Sequence, residues 1–185
     1  MKKIYMIAAV SAFALNAQAM DWGMNNMIHP YVGADYIYSH AKQGAYASGA
    51  KKDFNSWAVN AGMDITQYAS LEGFFQQAFD RKNHTDEGKI KSRFYAWGMD
   101  MYGKMPVMCS GFNLLASVGL ADYNVKYTLD GYGLDKQRVG YRGGVGFSYD
   151  LTENISFRMM GRYSYIGMAG LDNLMEMTAG LRYTF

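Results

Sequence analysis

Eight stretches of the chain alternate apolar with polar residues at a period of two, and each reads as a β-strand with two chemically different faces. They span residues 28–39, 54–65, 70–80, 92–103, 111–122, 138–149, 155–165 and 175–185. The last is the most regular. Met177, Ala179, Leu181, Tyr183 and Phe185 share one face, and Glu176, Thr178, Gly180, Arg182 and Thr184 share the other. The second is nearly as clean, with Trp57, Val59, Ala61, Met63 and Ile65 opposite Ser56, Ala58, Asn60, Gly62 and Asp64. Pro30 sits at the start of the first strand, where a missing N–H does least harm.

The connections 40–53, 81–91, 123–137 and 166–174 are long and polar, while 66–69, 104–110 and 150–154 are short. Because long and short alternate, the long ones share one end of an up-and-down sheet. The short ones and both termini share the other end. Strands of about eleven residues, tilted near 40°, match the apolar band of a membrane barrel. The predicted fold is therefore all-β, an eight-stranded antiparallel up-and-down transmembrane β-barrel.

The charges decide which face is inside. Asp35, Asp64, Glu72, Asp100, Arg142, Arg158, Arg162, Glu176 and Arg182 all fall on the polar faces. The opposite faces collect Trp57, Trp97, Phe147, Phe157, Leu181 and Phe185, which in water would form a large apolar patch. Facing lipid, they need no further partner. Tyr36, Tyr38 and Tyr165 near one end, with Tyr149, Tyr183 and Phe185 near the other, are the candidate aromatic girdles. Eight strands enclose a space that side chains fill. Four arginines against five carboxylates are thus expected to pair as a lumen charge network, since buried charges must be paired. Glycines on the same face, Gly33, Gly62, Gly98, Gly119, Gly140, Gly144, Gly146 and Gly180, would give the long side chains room.

The start of the chain adds a targeting signal. Lys2 and Lys3 precede an apolar run to Leu15, and Ala17-Gln18-Ala19 ends it in a small-x-small exit. That is the form of a cleavable secretory signal, predicted to be cut after Ala19, with the barrel domain over 20–185. The run is too short to span a bilayer as a helix. The formal charge is +2, and the two lysines leave with the signal, so the mature chain is neutral. Neutrality argues against a nucleic-acid partner. One cysteine, Cys109, excludes an intrachain disulfide.

The ending Tyr183-Thr184-Phe185 resembles the terminal strand of bacterial outer-membrane barrels, in which alternate apolar residues and a C-terminal Phe are read by the barrel-assembly machinery. Together with Pro30-Tyr31-Val32-Gly33-Ala34 and the run from Gly143 to Leu151, it makes residues 28–185 similar to small eight-stranded families. These are the opacity-type surface antigens, the OmpX/Ail group and the transmembrane part of OmpA. The resemblance implies export to a Gram-negative outer membrane, contact with its lipid and lipopolysaccharide, and Leu181, Tyr183 and Phe185 as the assembly signal. It also implies a monomer whose long loops face outward. The peptidoglycan-binding domain of OmpA has no counterpart here, so wall tethering is not expected.

Little in the chain reads as catalytic chemistry. His29, His40 and His84 lack metal-ligand spacing, and no glycine loop is placed to cradle phosphate, so no cofactor or metal is expected. A lipid A-modifying enzyme would need a Ser/His pair such as His40 with Ser39 or Ser48, and spacing supplies no orienting carboxylate. The expected role is non-enzymatic. The four long connections would meet host or environmental ligands or lipopolysaccharide, or support the envelope. The alternative is a small ion or solute pore through the charged lumen.

Overall fold

Backbone pairing follows the alternation and then continues past it. The computed structural model describes residues 28–42, 53–79, 81–85, 88–107, 111–129, 132–168 and 171–185. The signal segment and its cleavage position, Ser48 and Cys109 lie outside the described residues. The strands are β1 (His29–Lys42), β2 (Asp53–Thr66), β3 (Ala69–Ala78), β4 (Arg81–Thr85), β5 (Gly88–Pro106), β6 (Phe112–Leu129), β7 (Tyr132–Asp150), β8 (Ile155–Met168) and β9 (Leu171–Thr184). All pairings are antiparallel.

β3 and β4 both pair with β5 and together make one interrupted stave, so the closed barrel has eight staves. β1 pairs with β9 to close it. Starting at Val32 and stepping across partners through Ala61, Gly73, Met99, Leu120, Tyr141, Tyr165 and Asn173, the path returns to β1 at Lys42. That stagger of ten residues over eight strands corresponds to a tilt of about 40°.

Three of the four long connections are shorter than their composition implied. β5, β6 and β7 run on to 18 or 19 residues, and the pairs Thr85↔Gly88, Leu129↔Tyr132 and Met168↔Leu171 leave two-residue links. The stretches 81–91, 123–137 and 166–174 are therefore mostly paired strand rather than loop. Within 40–53, residues 43–52 lie outside the described set. The reason is physical: above the membrane a hairpin is wetted outside, so polar residues do not exclude a ladder. The signal was present in Tyr123, Val125, Tyr127 and Leu129, which alternate up to an Asp130-Gly131 pair of the kind that turns a hairpin.

The turn end is stapled by short hydrogen bonds. Lys104 N–H donates to Tyr68 C=O at 2.8 Å, Asp150 N–H to Gly111 C=O at 2.9 Å, and Phe185 N–H to Pro30 C=O at 3.0 Å. Gly111, at φ 68°, takes the left-handed conformation its turn needs. Lys104 and Pro106, read from sequence as turn residues, belong to β5.

Candidate functional site: a filled lumen

One parity of every strand faces inward, and the nine ionisable residues singled out above all stand on it. Nearest the turn end, Asp64 accepts from Lys104 Nζ at 2.9 Å and from the Arg182 guanidinium, which lies 3.7 Å over the Tyr31 ring. One level up, Arg158 bridges Asp35 and Glu72, each at 2.7 Å, and Asn60 donates to the same Asp35 oxygen at 2.9 Å. The Tyr102 hydroxyl donates to Glu72 at 3.0 Å and accepts from Arg162 at 2.7 Å. Arg142 makes two parallel bonds to Asp100, with Nε to Oδ1 at 2.7 Å, and stacks 3.5 Å over Phe74. Higher still, Glu176 accepts from Gln76 at 2.7 Å and Ser39 at 3.2 Å.

These contacts are buried. Glu72 and Asp100 are 1% exposed and Arg158 is 4% exposed. Forked arginine–carboxylate bonds and flat guanidinium stacking satisfy charge where water does not. Arg162 differs from the other three arginines. Among the described residues it has no carboxylate at ion-pair distance, although the register sets it directly opposite Glu176. Sequence reasoning missed Lys104, which balances the lumen at five cations against five carboxylates. It also missed Tyr31, Tyr102, Phe74 and Gln76, although each shares the parity of the charges it contacts.

Above the charged levels the lumen turns apolar. Ala41, Ala96, Ala121, Tyr123, Val125, Ile166 and Leu174 form one buried cluster, with Phe54 and Phe94 against it. It lies toward the loop end and reaches down to Phe74 under Arg142. At the turn end an open vestibule of about 390 Å³ is lined by His29, Asp64, Lys104, Glu153 and Arg182 among others. Deeper in, beside Tyr102 and Arg158, the space falls to about 10 Å³, room for roughly one water.

The opposite parity faces out. Tyr36, Tyr38, Tyr149, Tyr165 and Tyr183 are all half exposed there, in company with Trp97, Met99 and Leu181. Tyr183 meets Phe185 edge-on, ring centres 5.2 Å apart. His40 Nδ1 lies 2.5 Å from Asp53 Oδ1, both half exposed, so a carboxylate partner exists that spacing did not reveal. Ser39 is not its companion, since it faces the lumen and bonds Glu176. No cluster of three metal-ligating side chains occurs among the described residues.

A closed, staggered barrel with a charged interior and outward-facing tyrosines is the architecture of an outer-membrane barrel protein. Residues 6–185 match the outer membrane protein beta-barrel domain family model, and the chain belongs to that family. Among solved structures, neisserial surface protein A is similar at TM-score 0.70 with 21% identity, covering 84% of this chain and 97% of that one. Ail, the attachment invasion locus protein of Yersinia pestis, is similar at 0.63 with 14% identity, covering 86% and 99%. The N-terminal barrel domain of Pseudomonas aeruginosa OprF follows at 0.60 with 16% identity, covering 84% and 97%. No curated protein sequence gives a significant match.

Proposed function

We propose that this chain is a non-conducting surface barrel, whose work is done at the loop end and whose lumen serves as a structural core. The observation that carries the reading is the filled lumen. Paired charges occupy its lower and middle levels, and an apolar cluster caps it. In this reading Asp35, Asp64, Glu72, Asp100, Arg142, Arg158, Arg162, Glu176 and Arg182 hold the staves together. The outward tyrosines anchor the barrel at both interfaces, and Leu181, Tyr183 and Phe185 address it to the assembly machinery. Export depends on the leader and its removal after Ala19. The hairpins and the 43–52 connection meet ligands from outside as a monomeric platform. A Yersinia pestis Ail structure was solved in complex with the heparin analogue sucrose octasulfate, and it supports considering anionic ligands at this end.

Proteoliposomes carrying the refolded chain test the reading by swelling in isosmotic arabinose. Swelling no faster than protein-free vesicles is expected. Uptake well above that background would replace the reading with a pore.

A further inference from the structure

The charges of the lumen balance in number and not in place. Nearest the turn end, Asp64 is shared by Lys104 and Arg182, so these three groups carry one positive charge over. One level up, Arg158 binds Asp35 and Glu72, and Arg162 joins Glu72 through the Tyr102 hydroxyl, which sets two cations against two carboxylates. Arg142 matches Asp100, and the carboxylate left over is Glu176, at the upper end of the charged levels. The surplus cation and the surplus carboxylate therefore stand at opposite ends of the row.

The small space behind the vestibule lies at the positive end. Lys104, Arg158 and Arg182 stand around it with Ser70, Ser148 and Ser156, and among the described residues no carboxylate lines it. The register sets Ser148 directly opposite Arg158 and Ser156 directly opposite Arg182, so hydroxyls and guanidinium groups come from paired inward positions. Asp150 and Glu153 belong to the exposed rim of the vestibule and not to this inner wall. Three of the wall's polar atoms are short of a partner. Ser70 is 1% exposed, and its Oγ bonds nothing among the described residues; the same holds for the buried Nε of Arg158 and of Arg182.

A buried donor without an acceptor is costly, and it points to a further ligand. The nature of the orphans selects which. They are two N–H donors and a hydroxyl. A water would bring two protons of its own that need acceptors, whereas an anion only accepts, and its bonds to guanidinium are charge-assisted. Size narrows the choice. The space is about 10 Å³, which takes one particle of about water's size and excludes an oxyanion.

We propose that a single-atom anion of the halide class binds at the floor of the turn-end vestibule, held by Lys104, Arg158 and Arg182 with the hydroxyls of Ser70, Ser148 and Ser156. These residues come from β3, β5, β7, β8 and β9, so the anion ties five of the eight staves together. It adds a ligand to the structural core and is independent of what the loop end meets.

The test uses the refolded full barrel in uncharged detergent, with sodium chloride replacing sodium gluconate at fixed ionic strength. The urea midpoint is expected to rise with chloride and level off from tight sites only slowly; at ten times the dissociation constant the folding equilibrium shifts about 11-fold toward the barrel. Ser70→Ala with Ser148→Ala removes two hydroxyls and no ion pair, and its heat-modifiable band shows that it has folded. This variant is expected to lose most of the chloride shift. Crystals grown in sodium bromide should show an anomalous peak between Ser70, Lys104 and Arg182. No chloride dependence, or equal dependence in wild type and variant, overturns the proposal. A bromide peak with a flat titration would mean binding at crystal concentration only and overturn it too, as would stabilisation by phosphate at lower concentration than by chloride. Discrete conductance steps would remove the closed-lumen reading while leaving the outcome of the titration standing.

Discussion

Arg158 holds two carboxylates at once, and its removal strands both. Asp35 and Glu72 would then be buried charges with only Asn60 and Tyr102 as donors. Breaking such a buried pair typically costs about 3–5 kcal/mol. Arg158→Ala should therefore lower the urea midpoint of the micelle-bound barrel by that amount of stability. Adding Glu72→Gln and Asp35→Asn should recover most of the loss, because neutral amides leave no unpaired charge. A loss below about 1 kcal/mol for the single variant would mean that the bridge carries little. Glycines make the space these groups fill. A Cβ at Gly180 would collide with Asp35 Oδ1 and the Ala34 carbonyl, whereas at Gly103 the nearest atom is 4.0 Å away. Gly180→Val should abolish refolding into a heat-modifiable species, and Gly103→Ala should leave it unchanged.

At the scale of the strand, the decisive feature is where the apolar parity changes face. On β6, Leu114, Val118 and Leu120 face outward, and from Ala121 the apolar positions Tyr123 and Val125 face inward. β1 changes from Tyr38 to Ala41 and β8 from Tyr165 to Ile166 in the same way. Below the change the outward positions are apolar; above it polar residues such as Asp122 and Asn124 take them, and the interior packs the apolar cluster. This explains what the sequence made legible. The eight strands, their faces and the lumen charges follow a single unbroken alternation, so they could be read directly. The hairpin extensions break the phase, and a broken phase with added lysines resembles a loop. The arginine partners were not legible either, because they join strands far apart in sequence, as with Arg158 and Asp35 across 123 positions. Replacing residues 126–136 by a two-residue turn should therefore leave the refolded barrel heat-modifiable, since the membrane-embedded ladder remains. At the far end of the chain, deleting Phe185 should reduce assembly in cells many-fold while changing refolding into detergent little. Equal assembly in cells would remove Phe185 from the proposed signal.

For the whole molecule, the outward face of the last stretch rises ten residue steps from Met175 to Phe185, about 25 Å along the axis at a tilt near 40°. That height fits the apolar band of an outer-membrane barrel. Inside it, the vestibule at the turn end adjoins a space for about one water beside Arg158. The apolar cluster then covers the levels above. In the proposed reading, a hydrated ion entering from either mouth would meet a seal. The most direct measurement is the conductance of the refolded wild-type barrel in a planar bilayer, with its heat-modifiable band as proof of folding. The filled lumen predicts a silent bilayer at moderate salt and voltage. Discrete, reproducible steps of one size would contradict it and make the lumen arginines the walls of a pore.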